Sequence, residues 1–174
     1  MPKNRSVEEQ VEDRGKQWLK SYGLSYFSKT ENINSEIDAA MRQAPSKSGG
    51  SGGNYPDIRL LLSAESTKTY PIMIEAKGTR DKLVKMNASG EIDNTTKGGD
   101  PNYKNINGFA VNGAVHYAKA IIDFTEGYKE VMQGVLIMLQ NLTEKSLWSL
   151  KSLSLLQSTK KSIFHLWKPA FASS

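Results

Sequence analysis

Residues 55–77 read YPDIRLLLSAESTKTYPIMIEAK, two apolar runs joined by a short polar link. Residues 55–62 and 70–77 each have the length and the branched or aromatic content of a β-strand. The pattern therefore predicts a β-hairpin that reverses about Ser66. In that register Asp57 lies opposite Glu75, with their Cβ atoms roughly 5 Å apart.

Alternation along the second strand separates its charged side chains from its apolar ones. Glu75 and Lys77 share one face, and Ile72, Ile74 and Ala76 point to the other. With Asp57 opposite, two carboxylates and an ammonium group converge at one end of the hairpin. The alternative is a buried structural ion pair between Glu75 and Lys77, an arrangement that seldom stabilises a protein by itself.

These residue types fit a magnesium-dependent phosphodiesterase site. Mg²⁺ accepts one or two protein carboxylates together with water and substrate phosphate, so Asp57 and Glu75 are the predicted metal ligands, with Mn²⁺ as a substitute ion. Lys77 is predicted to hold the attacking water and to offset the charge that builds on the phosphorus centre.

A first helix is predicted ahead of the hairpin. Ser6 and Glu9 have the spacing of a capping box, and Gly23 is placed to end the helix. Glu8 and Glu12 lie one turn apart on it, beside its apolar stripe. By itself this position indicates a solvated face of the helix for each of them.

The remaining elements follow from periodicity and caps. Residues 24–30 read as a first strand, and a short helix capped by Asn34 or Ser35 follows. Small and branched residues at helical spacing predict a helix over 110–122, and the apolar run 131–139 predicts a last strand.

Two polar stretches flank the hairpin. Residues 45–54 are rich in Gly and Ser, which indicates a flexible linker or, as the functional alternative, a loop lying against a phosphate backbone. Residues 78–108 are hydrophilic and predicted to lack regular structure. Arg80, Lys82 and Lys85 follow Lys77 closely, so this segment is the candidate for binding DNA phosphates, and surface charge without a partner is the alternative.

Composition bounds the class of protein. The chain has 174 residues, enough for one domain with a real core. It has no cysteine, which excludes disulfides and thiolate metal sites. The longest apolar run, 135–139, is far below the roughly 20 residues of a membrane span, and no signal peptide pattern is present, so a cytoplasmic protein without membrane contact is expected.

The net charge of +5 lies mostly in the last part of the sequence. Residues 1–132 carry eighteen Lys or Arg and seventeen Asp or Glu. DNA binding therefore has to be argued from local clusters and from the motif. Composition also changes after residue 140, and we interpret residues 1–140 as one domain and residues 141–174 as an atypical tail, out of frame or poorly ordered.

In the residues of the hairpin the chain resembles the PD-(D/E)XK nuclease superfamily. Pro56-Asp57 matches the first part of its motif and Glu75-Ala76-Lys77 the second. The resemblance implies an α/β fold with a restriction-endonuclease-like αβββαβ core, in which helices flank a mixed central sheet. It also implies that residues 1–140 are a nuclease-like domain. An acid of the first helix, Glu12 or Glu8, is then expected to join the catalytic group.

A closer resemblance covers Arg5 to about Met132. Residues 6–12, 53–57, 74–78 and 112–118 are similar to the N-terminal nuclease module of enzymes that combine a restriction endonuclease with an N6-adenine DNA methyltransferase. The resemblance implies that the chain is a truncated, magnesium-dependent DNA endonuclease of a restriction-modification system, with DNA as its substrate. It also implies a methyltransferase or specificity component as partner. Cutting both strands would require a homodimer.

The helix after the hairpin departs from the family pattern. Restriction-type nucleases of this superfamily often carry a Gln and a Tyr four residues apart on this helix, and here Gly113 stands at the Gln position before Tyr117. Asn112 and His116 are the candidate substitutes, and with Tyr117 they are assigned to DNA binding. The departure favours the rival hypothesis, a non-catalytic remnant or DNA-binding module that keeps the nuclease fold.

Overall fold

The computed structural model describes residues 5–63, 68–128, 130–137 and 153–154. The helices are α1 (Val7–Ser21), α2 (Ser35–Gln43), α3 (Tyr103–Gly108) and α4 (Ala110–Phe124). The strands are β1 (Phe27–Ser28), β2 (Ile58–Ser63), β3 (Thr69–Lys77), β4 (Met132–Ile137) and β5 (Leu153–Ser154). The predicted α/β class is confirmed.

The hairpin has the register that the sequence predicts. The five strands form one sheet in the order β1-β2-β3-β4-β5. β2 and β3 are antiparallel, with Ile58 opposite Ile74 and Ser63 opposite Thr69. One further step along this register places Asp57 opposite Glu75. β3 and β4 are parallel, and α4 lies between them in the chain, so the sheet is mixed.

Helices cover both faces of the sheet. On one face α1 packs against alternate residues of the hairpin, including Ile58 and Ile74. On the other face α2 and α4 pack against β3, where Met73 joins Tyr117 and Ile121. Because side chains alternate along a strand, residues 72, 74 and 76 face α1, and Met73 faces α4.

Local signals place the helix starts correctly. Ser6 accepts a hydrogen bond from the Glu9 amide while the Glu9 carboxylate accepts from the Ser6 amide, which completes the predicted capping box. Asn34 caps α2 by accepting from the Ile37 amide. Gly23 follows the end of α1 with φ of 69°, a conformation that favours glycine.

Strand ends differ from the prediction. The first predicted strand shortens to Phe27–Ser28, because Glu31 folds back and binds the amide of Ser28 at 2.5 Å. β2 begins at Ile58 and not at Tyr55. Asn54 explains this, since its side-chain amide donates to the carbonyl groups of Met41, Ala44 and Pro45 at the end of α2.

The segment 78–108 is folded, which corrects the prediction that it lacks structure. It contains a 3₁₀ turn at Arg80–Lys82, isolated bridges that join Met86 to Ile92 and Thr95 to Pro101, and α3. Side-chain amides hold it. The buried Asn112 of α4 accepts from the Lys85 amide at 2.9 Å and donates to the Lys85 carbonyl and to Asn94.

The glycine-rich stretch 45–54 is also folded, so the linker interpretation is wrong. The Ser46 amide donates to the Gly50 carbonyl at 3.0 Å, and the Gly49 amide donates to the Ser46 carbonyl. Tyr103 of α3 packs on Gly49 so closely that a Cβ there would lie 3.0 Å from its ring. This stretch, named the glycine loop here, lies against α3.

The predicted tail lies outside the described residues except for Leu153–Ser154, which pair with β4. The predicted boundary at residue 140 between the domain and the tail stays a prediction. Within the described ranges no helix is both long enough and apolar enough to cross a membrane.

Candidate active site at the end of the hairpin

Asp57 is buried directly before β2 and held against β3. It is 4 % exposed, and its Oδ2 accepts a hydrogen bond from the Ala76 amide at 2.7 Å. Its Oδ1 lies 2.5 Å from the Lys29 ammonium, which comes from the turn after β1. The cross-strand bond fixes the carboxylate next to Glu75.

Glu75 is the most deeply buried acid of the group. Its residue is 1 % exposed, and the ammonium of Lys47 lies 3.0 and 3.1 Å from its two carboxylate oxygens. Lys77 is 3.8 Å from Oε2. Burial, followed by the negative charge of Asp57, raises the pKa of Glu75, and the two ammonium groups offset this only in part.

Lys77 joins the strand end to α1. Its ammonium contacts Glu8 at 2.9 Å as well as Glu75, and its side chain is 13 % exposed. Burial alone would lower the pKa of Lys77, but the hydrogen bond to Glu8 and the charge of Glu75 outweigh it and raise the pKa. The group therefore stays a cation at neutral pH.

Glu12 reaches the site only through a lysine. It contacts Lys16 at 2.6 Å and Lys29 at 3.4 Å, and Lys29 in turn contacts Asp57. Of the two candidate acids on α1, Glu8 is the one that touches Lys77. The structure thus brings together Asp57, Glu75 and Lys77, with Glu8 and Glu12 at the border.

Gly113 and Tyr117 of α4 flank Glu75. A Cβ at position 113 would lie 3.6 Å from Glu75 Cγ and 3.2 Å from the Ile106 carbonyl, so glycine permits this close packing. The Tyr117 hydroxyl is buried and has no well-formed hydrogen bond among the described residues. Burial, followed by the charge of Glu75, raises the pKa of Tyr117, which keeps the hydroxyl protonated beside the carboxylate.

Asn112 and His116 each bind a neighbouring loop, and their predicted role in DNA binding stays a prediction. Asn112 is fully buried, and both atoms of its amide bind the 78–108 segment. His116 Nε2 lies 2.8 Å from the Pro45 carbonyl and joins α4 to the glycine loop. Burial lowers the pKa of His116 more than this carbonyl raises it, so a neutral ring donates there.

The basic residues after Lys77 lie on the surface. Arg80, Lys82 and Lys85 are exposed, and the Lys82 ammonium lies 5.4 Å from the centre of the Phe109 ring. Arg80 and Lys82 belong to the 3₁₀ turn that begins three residues beyond Lys77. Their predicted contact with DNA stays a prediction.

Lys47 and Lys29 are the site residues that the sequence did not reveal. Lys47 lies in a stretch whose composition suggested a linker, and it meets Glu75 across 28 positions. Lys29 follows a weak strand and carries no local signal. Both contacts depend on how loops fold back over the sheet, and the spacing of residues along the sequence does not predict that folding.

The donor set suits a hard cation held by two carboxylates. Among the described residues, no three His, Cys, Asp or Glu side chains converge in an arrangement that would hold a metal ion. Mg²⁺ needs only one or two protein carboxylates beside water and phosphate, so Asp57 and Glu75 fit it. Lys29, Lys47 and Lys77 surround these acids, and the positive charge of these lysines also suits a polyanionic substrate.

One curated protein is similar in sequence to about two thirds of this chain. The protein is 32% identical over 117 residues, 67% of its length, to the type II restriction enzyme and methyltransferase RM.BcgI of Heyndrickxia coagulans. The chain spans 16% of that much longer relative. No protein-family model matches the chain, and no solved structure matches it significantly. The protein is a distant relative of a restriction and modification enzyme.

Proposed function

We propose that this chain is a magnesium-dependent DNA endonuclease domain of a restriction-modification system, with the αβββαβ core of the PD-(D/E)XK nucleases. The observation that carries the proposal is the buried Glu75, which lies beside Asp57 and within reach of Lys77 at the end of the catalytic hairpin. Burying two acids for stability alone is unfavourable, and perturbed carboxyl groups of this kind cluster at functional sites.

The three residues have distinct roles. Asp57 and Glu75 would hold a Mg²⁺ ion, and Mn²⁺ would substitute for it. Such an ion, when bound, acidifies water and polarises the phosphate. Lys77 holds the attacking water and stabilises the charge of the transition state, and Glu8 keeps its ammonium in place at 2.9 Å. The products are 5′-phosphate and 3′-hydroxyl ends.

The relative supports the partner assignment. RM.BcgI is a restriction enzyme and methyltransferase, and it is more than six times as long as the matched region. We infer that DNA is the substrate and that a methyltransferase or specificity component is the partner. One active centre cuts one strand, so a double-strand break requires a second copy of the chain.

Supercoiled plasmid provides the functional test. The purified chain is expected to convert plasmid to the nicked form in Mg²⁺ or Mn²⁺, and excess chelator is expected to abolish the reaction, because both acids need the ion to act on phosphate. Gel electrophoresis of a time course measures the conversion. Nicking that continues at the same rate in chelator would exclude the proposed mechanism.

The rival function is a non-catalytic DNA-binding remnant. Gly113 favours it, since no side chain from position 113 assists at Glu75, and Lys47 with Lys77 already neutralises that carboxylate. A remnant would shift plasmid or oligonucleotide in a gel and would leave both strands intact in every divalent ion tested.

A further inference from the structure

Lys47 makes the most direct contact with the proposed metal ligand. Its ammonium lies 3.0 Å from Oε1 and 3.1 Å from Oε2 of Glu75, so it faces both carboxylate oxygens at once. The same ammonium lies 5.7 Å from the centre of the Tyr117 ring. Lys47 lies outside the β2–β3 hairpin and belongs to neither Pro56-Asp57 nor Glu75-Ala76-Lys77.

The backbone around Lys47 is anchored, and the side chain is long. The Ser46 amide and hydroxyl close a turn onto Gly50 and Gly49, and the Pro45 carbonyl is bound to His116. The bond to His116 holds the loop against α4, and the packing of Tyr103 on Gly49 holds it against α3. The four-carbon stem of Lys47 ends in an ammonium that can leave Glu75 by rotation of side-chain bonds alone.

A divalent cation and the Lys47 ammonium compete for the same oxygens. Two cations a few ångströms apart in a buried site repel each other strongly. A metal ion held by Glu75 therefore requires the ammonium to withdraw. The side chain of Lys47 is 26 % exposed, so the way to solvent is open.

We propose that Lys47 is a positioning residue that occupies the Glu75 carboxylate in the metal-free protein and is released when a divalent ion binds. Before release it orients the Glu75 carboxylate through contacts with both of its oxygens. After release the ammonium is free on the glycine loop, ten residues before Asp57 in the chain. The inference rests on the proposed function, because it requires that metal bind at Glu75.

Amine acylation measures the release in the wild-type chain. A short pulse of an N-hydroxysuccinimide ester at pH 8.5, followed by mass spectrometry, gives the reaction rate of each lysine with and without saturating Mn²⁺. Lys119 is the internal reference because its side chain is 71% exposed and pairs with Asp123 away from the site. Lys47 is expected to react roughly tenfold faster with Mn²⁺, the factor for losing one hydrogen bond between charged groups.

Calorimetry with Mn²⁺ provides the second readout. At the same pH, Lys47→Met is expected to bind Mn²⁺ roughly tenfold more tightly than wild type, since no ammonium must be displaced. Lys119→Met is the control of equal charge and is expected to bind as wild type does.

The outcomes separate this inference from the proposed function. If Mn²⁺ binds wild type and the Lys47 acylation rate does not change, the release of Lys47 is wrong and the nuclease proposal stands. If Lys47→Met binds more weakly than Lys119→Met, Lys47 is no competitor of the metal. If neither wild type nor Lys47→Met binds Mn²⁺, both proposals fall together.

Discussion

Replacing Lys77 by methionine is expected to lower the rate of plasmid nicking by about two to three orders of magnitude, the loss seen when one transition-state donor is removed. The ammonium of Lys77 lies 3.8 Å from Glu75 and is held by Glu8, so it is directed at the carboxylate that we propose as a metal ligand. Methionine keeps the unbranched stem and removes only the charge. The measurement is the initial rate in Mg²⁺, with the variant's folding checked by circular dichroism.

Lys119→Met is the matched control for Lys77→Met. It removes the same charge from α4, where Lys119 pairs with Asp123 on the surface. Its nicking rate is expected to equal that of wild type, since a surface ion pair contributes little. If Lys77→Met retained more than half of the wild-type rate, Lys77 would be a structural partner of Glu75 and no part of the catalytic group.

Glu75→Gln is expected to abolish nicking. At pH values above about 4.3, the ordinary pKa of a glutamate, it is also expected to raise the stability of the fold. The pKa of Glu75 is raised in the folded protein, chiefly by burial. A carboxyl group with a raised folded pKa stabilises the protein fully below its unfolded pKa, and this contribution is lost as pH rises through the folded pKa. Glutamine does not titrate, so it avoids that loss.

Thermal unfolding between pH 4 and pH 8.5 measures the effect. The two proteins are expected to differ least at pH 4, and the advantage of Glu75→Gln is expected to grow toward neutral pH. Glu91→Gln, at an exposed position, is the control and should follow wild type. A Glu75→Gln protein less stable than wild type at pH 8.5 would mean that Lys47, Glu75 and Lys77 form a net stabilising cluster and that the acid is retained for structure.

The hairpin and the helix starts could be predicted from sequence because their signals are local. Alternation of side chains fixed which residues of β3 face α1, and the reversal about Ser66 gave the observed pairing of Ile58 with Ile74. Ser6 and Asn34 cap helices through bonds to residues three positions away. The convergence of Asp57 with Glu75 and Lys77 follows from the same register.

The two loops were mispredicted because their order depends on distant partners. Asn112 binds the backbone of Lys85 across 27 positions, and Tyr103 covers Gly49. Polar composition suggests loops without regular structure. Here side-chain amides form the hydrogen bonds with backbone N–H and C=O groups that a neighbouring strand would otherwise form. Lys47 and its contact with Glu75 were missed for the same reason, since a folded glycine loop is needed to bring them together.

Titration of the protein with Mn²⁺, followed by calorimetry, tests most directly whether Asp57 and Glu75 share a cation. Wild type is expected to bind one ion per chain, and Asp57→Asn is expected to bind at least roughly tenfold more weakly, since it loses one charged ligand. Lys119→Met should bind as wild type does. Equal affinity in wild type and Asp57→Asn, or no binding by wild type, would contradict the metal site on which the proposed nuclease depends.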